Sequence, residues 1–236
     1  MGSIVEAFVQ ALRLLASLDA GVMEIAVLSL QVSGTATAIS ILLGIPVGVF
    51  LALNRFPGRN IVLGLVNTGM GLPPVVVGLV VSMFFWRSGP FGFLEIMYTP
   101  TIMVVAQVLI AFPIVTGLTF AAIQQINPRL RLQAMALGAS RLQSLALLMR
   151  EARLPMLAAI MAGFGGVVSE VGAVMMVGGN IEGQTRVLTT AMVLESRKGN
   201  FEIALALGIL LLSLSFLVNF ALTWIQQKGA RKWINP

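Results

Sequence analysis

Apolar runs longer than about 18 residues recur along nearly the whole chain, and that is the length a helix needs to cross the hydrocarbon core of a bilayer. One such run can be buried inside a large soluble domain. Runs near 23–53, 61–86, 102–123, 155–177 and 201–225 leave no soluble domain to bury them. The residue balance agrees: 58% of the 236 residues are hydrophobic and 10% charged, against roughly 45–50% and 25% in soluble domains. The expectation is an all-α integral membrane protein of about five spans, in which residues 22–225 form one transmembrane domain and the bilayer is the solvent.

The sequence excludes many functions. With neither Cys nor His, thiolate metal sites, Cys nucleophiles and the usual imidazole acid or base are lost. The Ser169-Glu170 pair has no recognisable base and orienting partner, so the chain is not expected to be an enzyme. No Gly-x-x-x-x-Gly-Lys-Ser/Thr segment is present to cradle nucleotide phosphates. The net charge of +6 comes without a basic cluster interleaved with aromatics, which argues against nucleic acid.

Charge placement instead reports topology. The first link, the long loop and the C-terminal tail 226–236 hold ten basic residues: Arg55, Arg59, Arg129, Arg131, Arg141, Arg150, Arg153, Lys228, Arg231 and Lys232. The alternate segments hold five: Arg13, Arg87, Arg186, Arg197 and Lys198. The positive-inside rule then places the N-terminus outside and the C-terminus in the cytoplasm. Residues 1–21 read as an amphipathic helix in the interface, not a cleaved signal peptide. Ser3, Glu6, Gln10, Arg13 and Ser17 form one face, and Ile4, Phe8, Leu12, Leu15 and Leu18 another.

Within the spans, Gly69, Gly71, Pro73 and Pro74 interrupt the second one. Two adjacent prolines remove two backbone donors, which is tolerated at membrane depth only against protein or a water-filled cavity. Gly71, Pro73 and Pro74 are therefore candidate pore or gate residues, with Pro46 and Pro113 as kink sites. Small residues at Gly44 and Gly48, and at Gly165, Gly166, Ser169, Gly172 and Ala173, allow close helix approach. Glu170 is the one acidic residue well inside a span. Because exposing it to lipid is costly, it joins Ser169 and Gly172 as a candidate for gating or packing, the alternative being a hydrogen bond to nearby backbone. No span carries Lys or Arg at its middle, so an anion there would meet backbone N–H groups, hydroxyls or helix N-termini. Asn180, Arg186, Thr189 and Thr190 lie where an outer mouth is expected.

The loop at 127–155 is too long and too helical for a connector. Residues 132–137 favour helix, Gly138 permits a sharp turn, and Ser140 can cap a second helix toward Arg150. The corner made by Gln133, Ala134, Met135, Ala136, Leu137, Gly138, Ala139 and Ser140 could fit a partner's groove. Resting on anionic lipid is the alternative.

These residues resemble a family: the permease subunits of bacterial and archaeal ABC importers for oxyanions. The family's cytoplasmic motif, Glu-Ala-Ala, three residues, Gly and a later Leu-Pro, aligns with Leu132-Gln133-Ala134, Gly138 and Leu154-Pro155. Leu132 stands in place of the Glu, and Glu151 where many relatives have a Pro. The stretch from Ser169 to Ile181 and the segment from Arg186 to Thr190 look like molybdate and tungstate permeases, tungstate most of all. The resemblance implies the type I permease fold in a cell (inner) membrane. It implies a homodimer bound to two ATP-binding cassette subunits, with ATP and Mg in those partners and no cofactor in this chain. It also implies an external binding protein that delivers the oxyanion. An ATP-independent secondary transporter or anion channel is the alternative.

Overall fold

In the computed structural model of the chain, residues 8–9, 12–13, 17 and 20–234 are described, with side chains as far as residue 227. Fourteen of the 21 residues of the amphipathic segment at 1–21 thus lie outside the described residues. Among the described residues the regular structure is entirely helical. In chain order the helices are α1 (Ala20–Leu53), α2 (Arg59–Met70), α3 (Pro74–Phe85), α4 (Pro100–Gln124), α5 (Pro128–Ala136), α6 (Arg141–Glu151), α7 (Arg153–Val168), α8 (Gly172–Gly178), α9 (Leu188–Lys198) and α10 (Phe201–Ile234).

Helices α1, α4 and α10 are each long and apolar enough to cross a membrane, and with each of two bent pairs, α2 with α3 and α7 with α8, counted as one span the total is five. The bend in the second span follows its Gly-Pro interruption. The bend in the fourth does not appear in the sequence pattern, which reads as one continuous helix over 155–177. Pro46 and Pro113, by contrast, lie inside unbroken helices. Helix α10 runs on through residue 225 to Ile234, so no helix boundary separates the last span from the tail.

Lipid tails are as apolar as leucine, so helices in a membrane associate through close packing and polar bonds, not through expulsion of water. Helix α4 is the hub. Within its most apolar 18 residues 56% are buried, against 17% in α10, and it packs on α1, α2, α7 and α8. Glycine makes the closest of these contacts. A Cβ on Gly48 would stand 2.6 Å from the Thr116 carbonyl oxygen, and one on Gly69 2.8 Å from Pro113 Cβ. Both approaches are closed to any larger residue.

Side-chain bonds fix the ends of the bundle. Buried Ser29 in α1 accepts from Leu188 N–H at 2.7 Å, which explains a hydroxyl in the first span and ties it to the start of α9. At the other end, which carries α5 and α6, Arg59 Nε donates to the Leu51 carbonyl at 2.7 Å, and its guanidinium lies 5.2 Å from the Phe120 ring centroid. There Gln226 Nε2 also donates to the Leu154 carbonyl at 3.1 Å, joining α10 to the start of α7.

Candidate functional site

The two broken spans meet. Pro73 takes an extended conformation (φ −61°, ψ 122°) and Pro74 occupies the first position of α3, where its missing N–H costs nothing. A residue before proline is pushed out of the helical region, so α2 ends and the chain turns by 105°. The last turn of α2 closes locally, with Gly71 N–H donating to Thr68 O and Leu72 N–H to Gly69 O. Gly71, Leu72 and Pro73 are all exposed.

The second break, at Ser169-Glu170-Val171, bends the chain by 55° with no proline. Three side chains hold it instead. Gln107 of α4 donates from Nε2 to the Val167 carbonyl at 3.0 Å, one of the orphan acceptors at the end of α7. The Glu170 carboxylate accepts the Ala173 N–H at 2.9 Å, satisfying an orphan donor at the start of α8. Thr189 of α9 donates to the Glu170 carbonyl at 2.8 Å. Glu170 is 8% exposed and Thr189 3%, whereas Ser169 is exposed and bonds back to the Gly165 carbonyl.

Helices α3 and α8 start side by side from these breaks. A Cβ on Gly172 would stand 2.6 Å from Val75 Cγ2, and one on Gly78 2.7 Å from Ala173 Cα. Gly71, Pro73 and Pro74 are thereby brought to the same region as Ser169, Glu170 and Gly172. Glu170 spends one carboxylate oxygen on backbone, the alternative that its sequence position leaves open. Gln107 is a residue of this joint that sequence reasoning misses. Its signal is a lone carboxamide inside an apolar run.

The outer-mouth candidates divide. Asn180, with positive φ of 54°, follows α8, and Arg186 forms an ion pair with Glu182 at 3.1 Å. Thr189 and Thr190 turn inward and are buried. Thr190 Oγ1 accepts from Val187 N–H and donates to Val187 O, both at 3.1 Å, capping α9. At the far end of α9, hydrogen bonds from the Lys198 ammonium and then the Asn200 amide hold the Glu195 carboxyl below the ordinary carboxylate range.

The 127–155 loop folds into the two short helices that its sequence predicts. Asn127 caps α5 by accepting Arg129 N–H at 3.0 Å. Helix α5 ends in a Schellman motif: Gly138 has φ 86°, its N–H donates to Met135 O, and Ala139 N–H donates to Ala134 O, both at 3.0 Å. Ser140 and Gln143 then form a reciprocal capping box at the start of α6. The corner presents large apolar side chains to the surface: Leu137 is 89% exposed, with Leu132, Met135 and Leu142 also exposed.

Comparison with known proteins agrees with this architecture. Residues 44–230 match the family described as binding-protein-dependent transport system inner membrane component. The chain is 39% identical to the tungstate uptake system permease protein TupB of Peptoclostridium acidaminophilum, over 97% of this chain and 100% of that one. It is 41% identical to a probable anion ABC transporter permease protein of Haloferax volcanii, over 83% and 87% of the two chains. Similarity to the sulfate transport system permease protein CysT of Salmonella typhimurium is lower, 27% over 80% of this chain and 71% of that one. Among solved structures, the methionine ABC transporter MetNI in an inward-facing conformation shares the fold, with a TM-score of 0.71 at 21% identity over 90% of this chain and 95% of that one.

Proposed function

The chain belongs to the family of binding-protein-dependent transport system inner membrane components, with the fold of type I ABC importer permeases, and from that premise we propose that it forms the membrane passage for tungstate or molybdate. Two copies build the passage. An external binding protein delivers the oxyanion, and two ATP-hydrolysing subunits, which hold the ATP and Mg, drive it. The chain lies in the inner membrane with its N-terminus outside and the α5–α6 end in the cytoplasm, the side favoured by ten basic residues against five.

The observation that carries this reading is the rigid knob at Gln133 to Ser140, with Leu137 at its tip 89% exposed. An apolar tip on a doubly capped corner suits a groove on a folded partner, and Gly138 lets that partner's backbone approach. The exposed break at Gly71, Pro73 and Pro74 supplies the wall of the passage. Ser169, Glu170 and Gly172 form the joint behind it, where Glu170 acts as a hydrogen-bond acceptor and not as an anion ligand. Asn180 and Arg186 stand at the outer mouth, and Thr189 and Thr190 support it from within. Selectivity rests mainly on the external protein, because no cation lies in mid-span to bind the oxyanion tightly.

The test is reconstitution in vesicles with the two ATPase subunits and the binding protein. Uptake of labelled tungstate is expected to require ATP and to be competed by molybdate more strongly than by sulfate. Uptake that proceeds without ATP or the ATPase would overturn the reading in favour of a secondary transporter or channel. Gly138→Pro is expected to abolish coupling, since proline cannot adopt φ 86°. A fully coupled complex carrying it would remove the knob from the mechanism.

A further inference from the structure

A cavity of about 420 Å³ opens at the α5–α6 end, between the end of α4, helix α5 and the joint of α6 with α7. Ile126, Leu130 and Pro155 form its apolar wall, and Gln125, Gln133 and Glu151 bring a carboxylate and two carboxamides to it. Glu151 is singular. It is the only acidic residue between Glu95 and Glu170, and the segments 54–59 and 125–153, which share this end, contain seven basic side chains and no other acidic one.

Despite these neighbours, Glu151 makes neither an ion pair nor a side-chain hydrogen bond among the described residues. Arg150 and Arg153 are one and two residues away along the chain. Side chains at those spacings do not face each other on a helix. The carboxylate is exposed and lines a cavity that combines apolar side chains, suited to an aliphatic stem, with oxygen acceptors. A metal ion fits poorly, because among the described residues no three carboxylates or other acidic ligands gather here. A long basic side chain fits both features, its methylenes along Leu130 and Pro155 and its charged head on Glu151 and the carboxamide oxygens.

We infer that this cavity is a socket for one arginine or lysine side chain projecting from the ATP-hydrolysing partner. The inference rests on the proposed function and adds to it a second point of attachment beside the apolar knob. Gln133 lines the socket and its neighbour Leu132 is part of the exposed apolar surface, so one partner face can reach both. In a field of like charges a single carboxylate also fixes register, since a basic side chain is accepted here and repelled elsewhere on the same surface.

The experiment measures binding of the ATPase subunits to the purified permease in detergent as a function of salt. Glu151→Gln is expected to weaken association about tenfold, as for loss of a charge-assisted hydrogen bond, and to flatten its salt dependence, while Glu151→Asp retains most of both. Glu151→Arg is expected to block assembly, and replacing one basic residue of the ATPase by Glu to restore it. Unchanged affinity and salt slope in Glu151→Gln, or failure of every such replacement to rescue Glu151→Arg, would overturn the socket. Stabilisation of the isolated permease by free spermidine, lost in Glu151→Gln and paired with unchanged ATPase binding, would instead assign the cavity to a soluble cation. If the wild-type permease binds no ATPase at all, the proposed function fails first, and the two failures are told apart by that control.

Discussion

The two broken spans solve one problem in opposite ways. Each interrupts a helix at membrane depth, where unsatisfied backbone groups are expensive. The α2–α3 break is imposed by covalent geometry: Pro73 and Pro74 stop one helix and start the next, the turn is 105°, and Gly71 to Pro73 lie exposed. The α7–α8 break has no proline and turns by 55°. There Glu170 and Thr189 satisfy the Ala173 N–H and the Glu170 carbonyl, and Gln107 adds a second bond to the Val167 carbonyl, which also accepts the Glu170 N–H. A break made by proline removes the donors that would otherwise be freed and can leave its remaining carbonyls open to a passing solute. One made by hydrogen bonds is anchored to α4 and α9 and moves only if they do.

The contact between the breaks is where the contrast is easiest to destroy. Gly78→Leu would drive a side chain into Ala173 Cα, 2.7 Å from the position of its Cβ, and is expected to destabilise the protein by about 3 kcal/mol, the upper part of the overpacking range. Thermal unfolding of the purified protein checks this, and an unchanged midpoint would mean that α3 and α8 are not locked together. Next in size, Glu170→Leu is expected to cost about 1–3 kcal/mol because it leaves the buried Ala173 N–H unpaired. Glu170→Gln keeps an acceptor and should recover most of that loss. Equal losses in both would show that charge, not hydrogen bonding, holds the joint. The smallest stability effect belongs to Pro73→Ala, which removes no hydrogen bond at an exposed position and should stay within about 0.5 kcal/mol. Its transport rate should nonetheless fall, and normal uptake would deny the first break its place in the pathway.

The same contrast separates what is legible in the amino-acid sequence from what is not. Five spans, the first break and the two loop helices are local properties, written in apolar run length, in Pro73 and Pro74, and in Gly138 and Ser140. The second break is not local. The residues from Val167 to Ala173 contain no proline and read as helix, and the bend there depends on Gln107, 60 positions away, and Thr189, 19 positions away. Thr189 and Thr190 show the same split. Their place near an outer loop is legible, but their burial is not: Thr189 donates to the Glu170 carbonyl 19 positions away, while Thr190 caps α9. The Glu151 cavity is equally hidden, because it is made by four helices meeting and no motif marks it.

One consequence of the capped corner concerns the entropy of association. Asn127, Gly138, Ser140 and Gln143 satisfy the ends of α5 and α6 from within the loop itself, so the corner is folded before anything touches it. A segment that orders only on contact gives up about 1–2 kcal/mol of conformational freedom for each residue fixed. This one has already given it up. If the proposed partner binds at Leu137, it would meet a preorganised shape, and the segment would act as a strut, carrying a push on its tip into α4 and α7 without first being used to straighten a slack tether.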